Sequence, residues 1–351
     1  MNTSMAARLM LASAALAVAG CAGGSQVAGT PAAPLSSTSA GQAGRSESVS
    51  RSGRLVRTGT RSQAGPAGPA ISFSKKAKDL FVTLDSDVAV LQNKTWNNLG
   101  TISNGAMACP DGDWVDKKGN LYVANWDCYV TNSPGVYEFK PGASEPSVVY
   151  TAGLTDPVNV TTDKLGNVYV MDFFGGTISE YKQGSNAVRY QCAAPISVYN
   201  GVVGAAVDPH GNVFVVSVNS ESPWSTDLYE YAGGLNGCSA TQLALYPGFP
   251  GGMVLDKNAN LLVVDQGNNV VNVIAPPYSG ITSQIDALNP FMVTINKKNS
   301  QIYVTSAMLG SSSTGAVLVD AYPSGANIAT LGTSNGISNP GGAVDTLNYV
   351  P

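Results

Sequence analysis

The chain has 351 residues, 44% of them hydrophobic, 8% aromatic and 12% charged, with 39 glycines and a formal net charge of −4. That is enough chain to bury a core, and the glycine content suits a β-rich protein with many turns. Arg8, Arg45, Arg51, Arg54, Arg57 and Arg61 stand against Glu47 in residues 1–74, so the body is acidic and lacks the clustered cations of a nucleic-acid grip.

Arg8 precedes the apolar run "LMLASAALAVAG", and small residues lead to Cys21. This reads as an export signal over 1–20, too short for a comfortable membrane span. "VAGC" at 18–21 resembles the lipobox of bacterial lipoproteins. The resemblance implies cleavage before Cys21, acylation of that cysteine and a lipid-anchored place in the cell envelope. Ala22 rather than Asp follows, which by the family's sorting tendency favours the outer membrane of a diderm organism. Several acyl chains make a stable anchor where one is marginal. Residues 21–74 are dominated by Ala, Gly, Ser, Thr and Pro without apolar periodicity. They are expected to form a disordered tether spanning on the order of 40 Å. Its cations either lie along an anionic membrane surface or are simply solvated.

From residue 75 onward one pattern recurs. It reads "DKKGNLYVANWD" at 116–127, "DKLGNVYVMDFF" at 163–174, "DPHGNVFVVSVN" at 208–219 and "DKNANLLVVDQG" at 256–267. A degenerate copy, "NKKNSQIYVTSA", covers 296–307, and the strand alone recurs as "DLFVTLDSD" at 79–87. Each unit ends an apolar strand at an acidic residue and turns through D-x-x-G-N, where Asp and Asn bond the local backbone and Gly permits positive φ. A continuous apolar strand follows, predicted to be buried on both faces, then an alternating third strand and a fourth. Four antiparallel strands per unit of about 45 residues predict the blade of a β-propeller. The fold class is therefore all-β: a six-bladed propeller of four-stranded antiparallel blades over 75–351. "GGAVD" near the C-terminus reads as an inner strand without a blade, and the copy at 79–87 lacks one. The C-terminal strand is predicted to close the first blade, leaving no free edge in the ring.

"LLVVDQGNNVVNVI" at 261–274 resembles the repeat core of NHL-type six-bladed propellers, and the resemblance covers about 75–351. It implies a scaffold and little about function. In that frame Cys109 and Cys128 fall in loops on one face of a single blade, so they are expected to pair. That leaves Cys192 and Cys238 on the outer strands of neighbouring blades, at different heights. The even count alone admits three pairings, with free thiols as the alternative.

Three enzyme groups share such a scaffold. The lone His210, in the "DPHGN" turn, excludes a His-ligated zinc centre and leaves no His general base at the usual site. The gluconolactonase and senescence-marker-protein group holds a divalent metal at the channel mouth. "YNGVVGAAVD" at 199–208 is similar to its strand entry. That distant resemblance implies Asn125, Asp172, Asn200 and Asp265 as candidate ligands for calcium or another divalent cation, although no Glu matches the group's N-terminal ligand. The other reading of these residues is turn architecture, because the position recurs once per blade and is Ser217 and Ser306 in two of them. "DGDWVD" at 111–116 lacks the spacing and Gly of an EF-hand and reads as strand entry with surface acids.

Aromatics concentrate in the loops of the channel-mouth face. Trp126, Tyr129, Phe173, Phe174 and Trp224 follow second strands, while Tyr199, Phe249 and Phe291 precede inner strands. They form either a binding face or wedges between blades. No coherent catalytic set stands out. The expectation is an envelope-anchored, non-enzymatic binding or scaffold module, with no cofactor, that takes a protein, peptide or glycan on this face. The alternative is a metal-dependent hydrolase of the lactonase or esterase type.

Overall fold

A computed structural model of the chain describes residues 79–105, 107–126, 134–195, 201–219, 225–306, 314–346 and 348, and two short strands before them. Those strands, Ser46–Val49 and Leu55–Thr58, pair antiparallel, so the tether expected to lack structure holds one hairpin. Val, Leu and Thr suit paired strands even in a polar segment. The expected signal peptide at 1–20, and Cys21, Cys128, Tyr129, Tyr199, Asn200 and Trp224, lie outside the described residues.

Residues 79–348 fold into six four-stranded antiparallel sheets arranged as the blades of a propeller. Each blade has an inner, a second, a third and an outer strand, in chain order in all but the first. The inner and second strands are Pro110–Val115 with Leu121–Asn125, Pro157–Thr162 with Val168–Asp172, and Val202–Val207 with Val213–Asn219. They continue as Pro250–Leu255 with Leu261–Asp265 and Pro290–Ile295 with Gln301–Ser306. The first blade is assembled from both ends of the propeller: inner strand Ala343–Asp345 pairs with Asp79–Thr83 through Ala343↔Val82, Val344↔Phe81 and Asp345↔Leu80. The closure expected from sequence is the one observed.

The D-x-x-G-N units form the same turn four times. Asp116 Oδ1 accepts the backbone N–H groups of Lys118 and Asn120 at 2.8 and 2.9 Å, and its Oδ2 accepts the Asn120 amide at 2.7 Å. Asp163, Asp208 and Asp256 repeat this with Asn167, Asn212 and Asn260. The glycine slot is left-handed, with φ near 82° at Gly119, and Ala259 tolerates 62° in the same slot. His210 is exposed in its turn and donates its backbone N–H to Asp208.

Second strands are buried from end to end, as their continuous apolar runs predict. Third strands depart from the expected alternation. Gly135–Phe139 and Val270–Ile274 are wholly buried, because the blades on either side cover both their faces. Their polar residues are accommodated by bonding: Glu138 accepts from the Tyr150 hydroxyl and pairs with Lys140. At the centre, inner strands approach so closely that at some positions a side chain is excluded. A β-carbon on Gly204 would stand 2.9 Å from the backbone nitrogen of Met253 and 3.0 Å from the carbonyl oxygen of Gly251. Repeated glycine on inner strands is therefore the sequence mark of the axis.

Cys192 and Cys238 are bonded, with Cα atoms 5.3 Å apart. The expected difference in height does not keep them apart, because a short 3-10 turn, Asn236–Cys238, precedes the outer strand of the fourth blade and brings Cys238 to Cys192. Cys109 is also disulfide-bonded.

Candidate functional site

In four of the blades the residue ending the second strand is turned onto its own blade. Asp172 is fully buried and accepts three backbone N–H groups, from Thr155 at 2.5 Å and from Asp156 and Gly175 at 2.9 Å. Burial raises its pKa, against the lowering effect of those three donors. Asp265 accepts the Phe249 and Asn268 N–H groups at 3.3 and 3.1 Å and the Asn268 amide at 2.7 Å. Asn125 Oδ1 accepts the Cys109 N–H at 2.9 Å. Ser306 does the reverse job, donating to the Leu288 carbonyl at 2.6 Å. One position thus ties the loop leaving the second strand, or the loop entering the inner strand, to the blade. A carboxylate that accepts several backbone N–H groups is already satisfied.

The cavity at the channel mouth is built from other residues. Trp126, Phe173, Phe174 and Phe291 line it with Val158, Val203 and Met292, and Asp111, Asp156 and Gln266 supply the polar edge. Its volume is about 40 Å³. Four of the predicted aromatics therefore meet at one place. Phe174 is 43% exposed and stacks edge-on against Phe173, with ring centroids 5.2 Å apart, while Trp126, Phe173 and Phe291 are buried beneath it. Phe249 is not in the lining; it packs in the core between the third, fourth and fifth blades, in the wedge role. Asn125, Asp172 and Asp265 do not line the cavity either. Asp111 and Asp156, which do, carried no signal beyond preceding or opening an inner strand.

Deeper on the axis lies a smaller cavity of about 10 Å³, touched by residues of all six blades. Asp113, Asn159, Thr161 and Thr294 supply its side-chain oxygens, and Met253 and Met292 its apolar wall. The acids of "DGDWVD" are thus not surface residues: Asp111, Asp113 and Asp116 are all buried. An irregularity in strand register between Pro110 and Asp113 re-aims this segment. Burial pushes the Asp113 carboxyl well above the usual aspartate range; its own backbone N–H lowers it, and neighbouring Asp111 raises it further.

Among the described residues no group of three or more His, Cys, Asp or Glu comes together as a metal site, and no helix is long and apolar enough to cross a membrane. No family model matches the chain, and no curated protein matches it. Among solved structures, a protein of unknown function from Bacteroides caccae is similar with a TM-score of 0.57 at 13% identity, over 77% of this chain and 99% of that one. That likeness shows the fold, an all-β propeller of six four-stranded blades.

Proposed function

We propose that the chain is a binding module that takes an apolar side chain of a peptide or partner protein into the channel-mouth cavity. The observation that carries this reading is the meeting of Trp126, Phe173, Phe174 and Phe291 in one opening, with Asp111, Asp156 and Gln266 the polar residues among its described lining. Aromatic surface around a small recess is the composition of an interface anchor pocket. Asp111, Asp156 and Gln266 orient a polar edge of the guest.

The resemblance of 18–21 to a lipobox supports attachment to the envelope through Cys21, with residues 22–74 as the tether. Loss of a lipid-sized mass in a Cys21→Ser chain expressed in a bacterium tests the anchor.

Panning a random peptide library on the immobilised chain, with counter-selection on Phe174→Ser, tests the binding face. Enrichment of peptides sharing one large apolar residue, lost on the variant, is the expected result. No enrichment, or equal enrichment on both proteins, sinks the reading. Hydrolysis of model lactones that disappears in a folded Asp172→Asn chain would establish the hydrolase instead.

A further inference from the structure

The wall of the mouth cavity is aromatic, yet two of its described polar residues are carboxylates, Asp111 and Asp156, each 3% exposed. Asp111 is the second residue of the inner strand Pro110–Val115, and Asp156 precedes the inner strand Pro157–Thr162. Two adjacent blades therefore present an acid to the same opening. Hydrogen bonds within a blade satisfy such oxygens but leave their charge at the opening. A recess lined by one sign of charge and by apolar walls concentrates ligands of the other sign.

The propeller sets its own cations at the other end. The mouth lies where inner strands begin and second strands end, at the pairs Pro110↔Asn125, Pro157↔Asp172 and Pro290↔Ser306. Every described Lys, Arg and His of 79–351 stands at the opposite end of its blade. Lys117, Lys164, Lys257 and Lys297 mark the turns between inner and second strands, where His210 also sits. Lys94, Lys140 and Lys182 follow third strands, which end beside the first residues of second strands through Gln92↔Asp79, Phe139↔Leu121 and Tyr181↔Val168. Arg189 opens an outer strand at that same end and pairs with Glu180. The residues of 79–351 that lie outside the described ones contain no Lys, Arg or His. Beneath the mouth the chain adds acid: Asp113 is buried on the axis, and neither of its oxygens accepts a hydrogen bond from another described residue.

A guest that joins an apolar group to a positive charge answers both halves of this lining. The apolar part meets the rings, the cation meets the carboxylates, and the ring faces attract the same charge. Acids and rings share one small opening, so the charge must stand close to the apolar group, as an α-ammonium stands beside the side chain of a peptide's first residue. We propose that the guest at the mouth is an apolar amine, the first residue of a peptide, whose ammonium is taken by Asp111 and Asp156. This rests on the reading of the mouth as a binding site and adds the charge of the guest to it.

Binding of L-phenylalaninamide and of its neutral N-acetyl form to the purified chain, followed by ligand-observed NMR, tests this. The free amine is expected to bind about tenfold or more tightly than the acetylated form, the margin of a charge-assisted hydrogen bond. Phe-Gly-Gly-amide is expected to bind as tightly as phenylalaninamide. Phe174→Lys sets a competing cation at the exposed edge of the opening and is expected to weaken the free amine more than the acetylated form, whereas Phe174→Ser weakens both alike. Asp156→Asn, checked for folding by its melting temperature, is expected to narrow the gap between the two probes. Equal binding of the two probes by the parent overturns the amine and leaves the apolar recess standing. A gap that survives unchanged in both Phe174→Lys and a folded Asp156→Asn chain overturns it as well. Loss of binding on extension to Phe-Gly-Gly-amide overturns the peptide as its source. If neither probe binds, the amine is again overturned, and peptide panning against Phe174→Ser decides separately whether the recess binds at all.

Discussion

The Asp113 carboxylate lies against the α-carbon of Gly342, across the seam where the C-terminal strand enters the ring. A β-carbon on Gly342 would stand 2.5 Å from Asp113 Oδ1, 2.7 Å from the Asp113 backbone nitrogen and 3.0 Å from the Asp111 carbonyl oxygen. Thr83 completes the contact: its hydroxyl donates to the Asp111 carbonyl and accepts the Gly342 N–H. First, second and closing strands therefore meet within one hydrogen-bonded knot.

Gly342→Ala is expected to destabilise the propeller by about 1–3 kcal/mol, because the obstacle is backbone as well as a side chain. Combining it with Asp113→Ala relieves only the clash with the carboxylate and recovers part of the loss. Urea unfolding of the two variants checks this; a neutral Gly342→Ala would show that the seam has slack.

Asp172→Ala removes the acceptor of three backbone N–H groups, of which that of Asp156 is buried while Thr155 and Gly175 are exposed. The buried donor costs about 1–3 kcal/mol when stranded and the two exposed ones less, so a loss of about 2–3 kcal/mol is expected. Ser306→Ala strands one carbonyl and should cost about 1 kcal/mol. Equal losses in the two variants would contradict the role of this position as a loop tie scaled by its bonds.

Cys192→Ser opens a bridge between the third and fourth blades that spans 46 residues. Loops of that length give a loss of about 2–5 kcal/mol when the bridge is removed from a secreted domain. Thermal unfolding with and without reductant checks it, and the variant is expected to lose most of the parent's sensitivity to reductant at this bridge.

Asp79 sits at the closing strand pair. Burial raises its pKa above 3.8, and Asp345 adds to the rise. The folded chain then holds this proton to higher pH than the unfolded chain. The contribution favours folding at and below the ordinary aspartate range and is lost as pH rises through the raised value. The stability of Asp79→Asn relative to the parent should therefore increase with pH just above about 4 and then level off. Denaturant melts of both chains across that range measure the difference; a gap that narrows with rising pH would reverse the sign.

The repeated D-x-x-G-N turn and the valine-centred second strand fix much of this protein by themselves. They are local in origin: turn chemistry and period-two burial act within a dozen residues, so "DKKGNLYVAN" and "DKNANLLVVD" each specify a strand, a turn and a strand wherever they occur. Counting such units, and noticing that "GGAVD" has no blade while "DLFVTLD" has no inner strand, was enough for six blades and their closure. The strand-end acids were equally legible as turn architecture, because their recurrence revealed a shared structural task. Of the aromatics read as mouth residues, Trp126, Phe173, Phe174 and Phe291 meet in one cavity, and nothing local in the chain said which would. Phe174 and Phe291 come from blades far apart in the chain, and Phe249 turns into the core instead. Asp113 was hidden for a related reason. Within "DGDWVD" nothing separates a surface acid from an axial one, since its direction depends on a register irregularity in its own blade and on Gly342, far off in sequence, leaving room for it. Local propensity and pattern decided the blades; ring closure, which packs inner strands against one another around an axis, decided which side chains are buried without a partner.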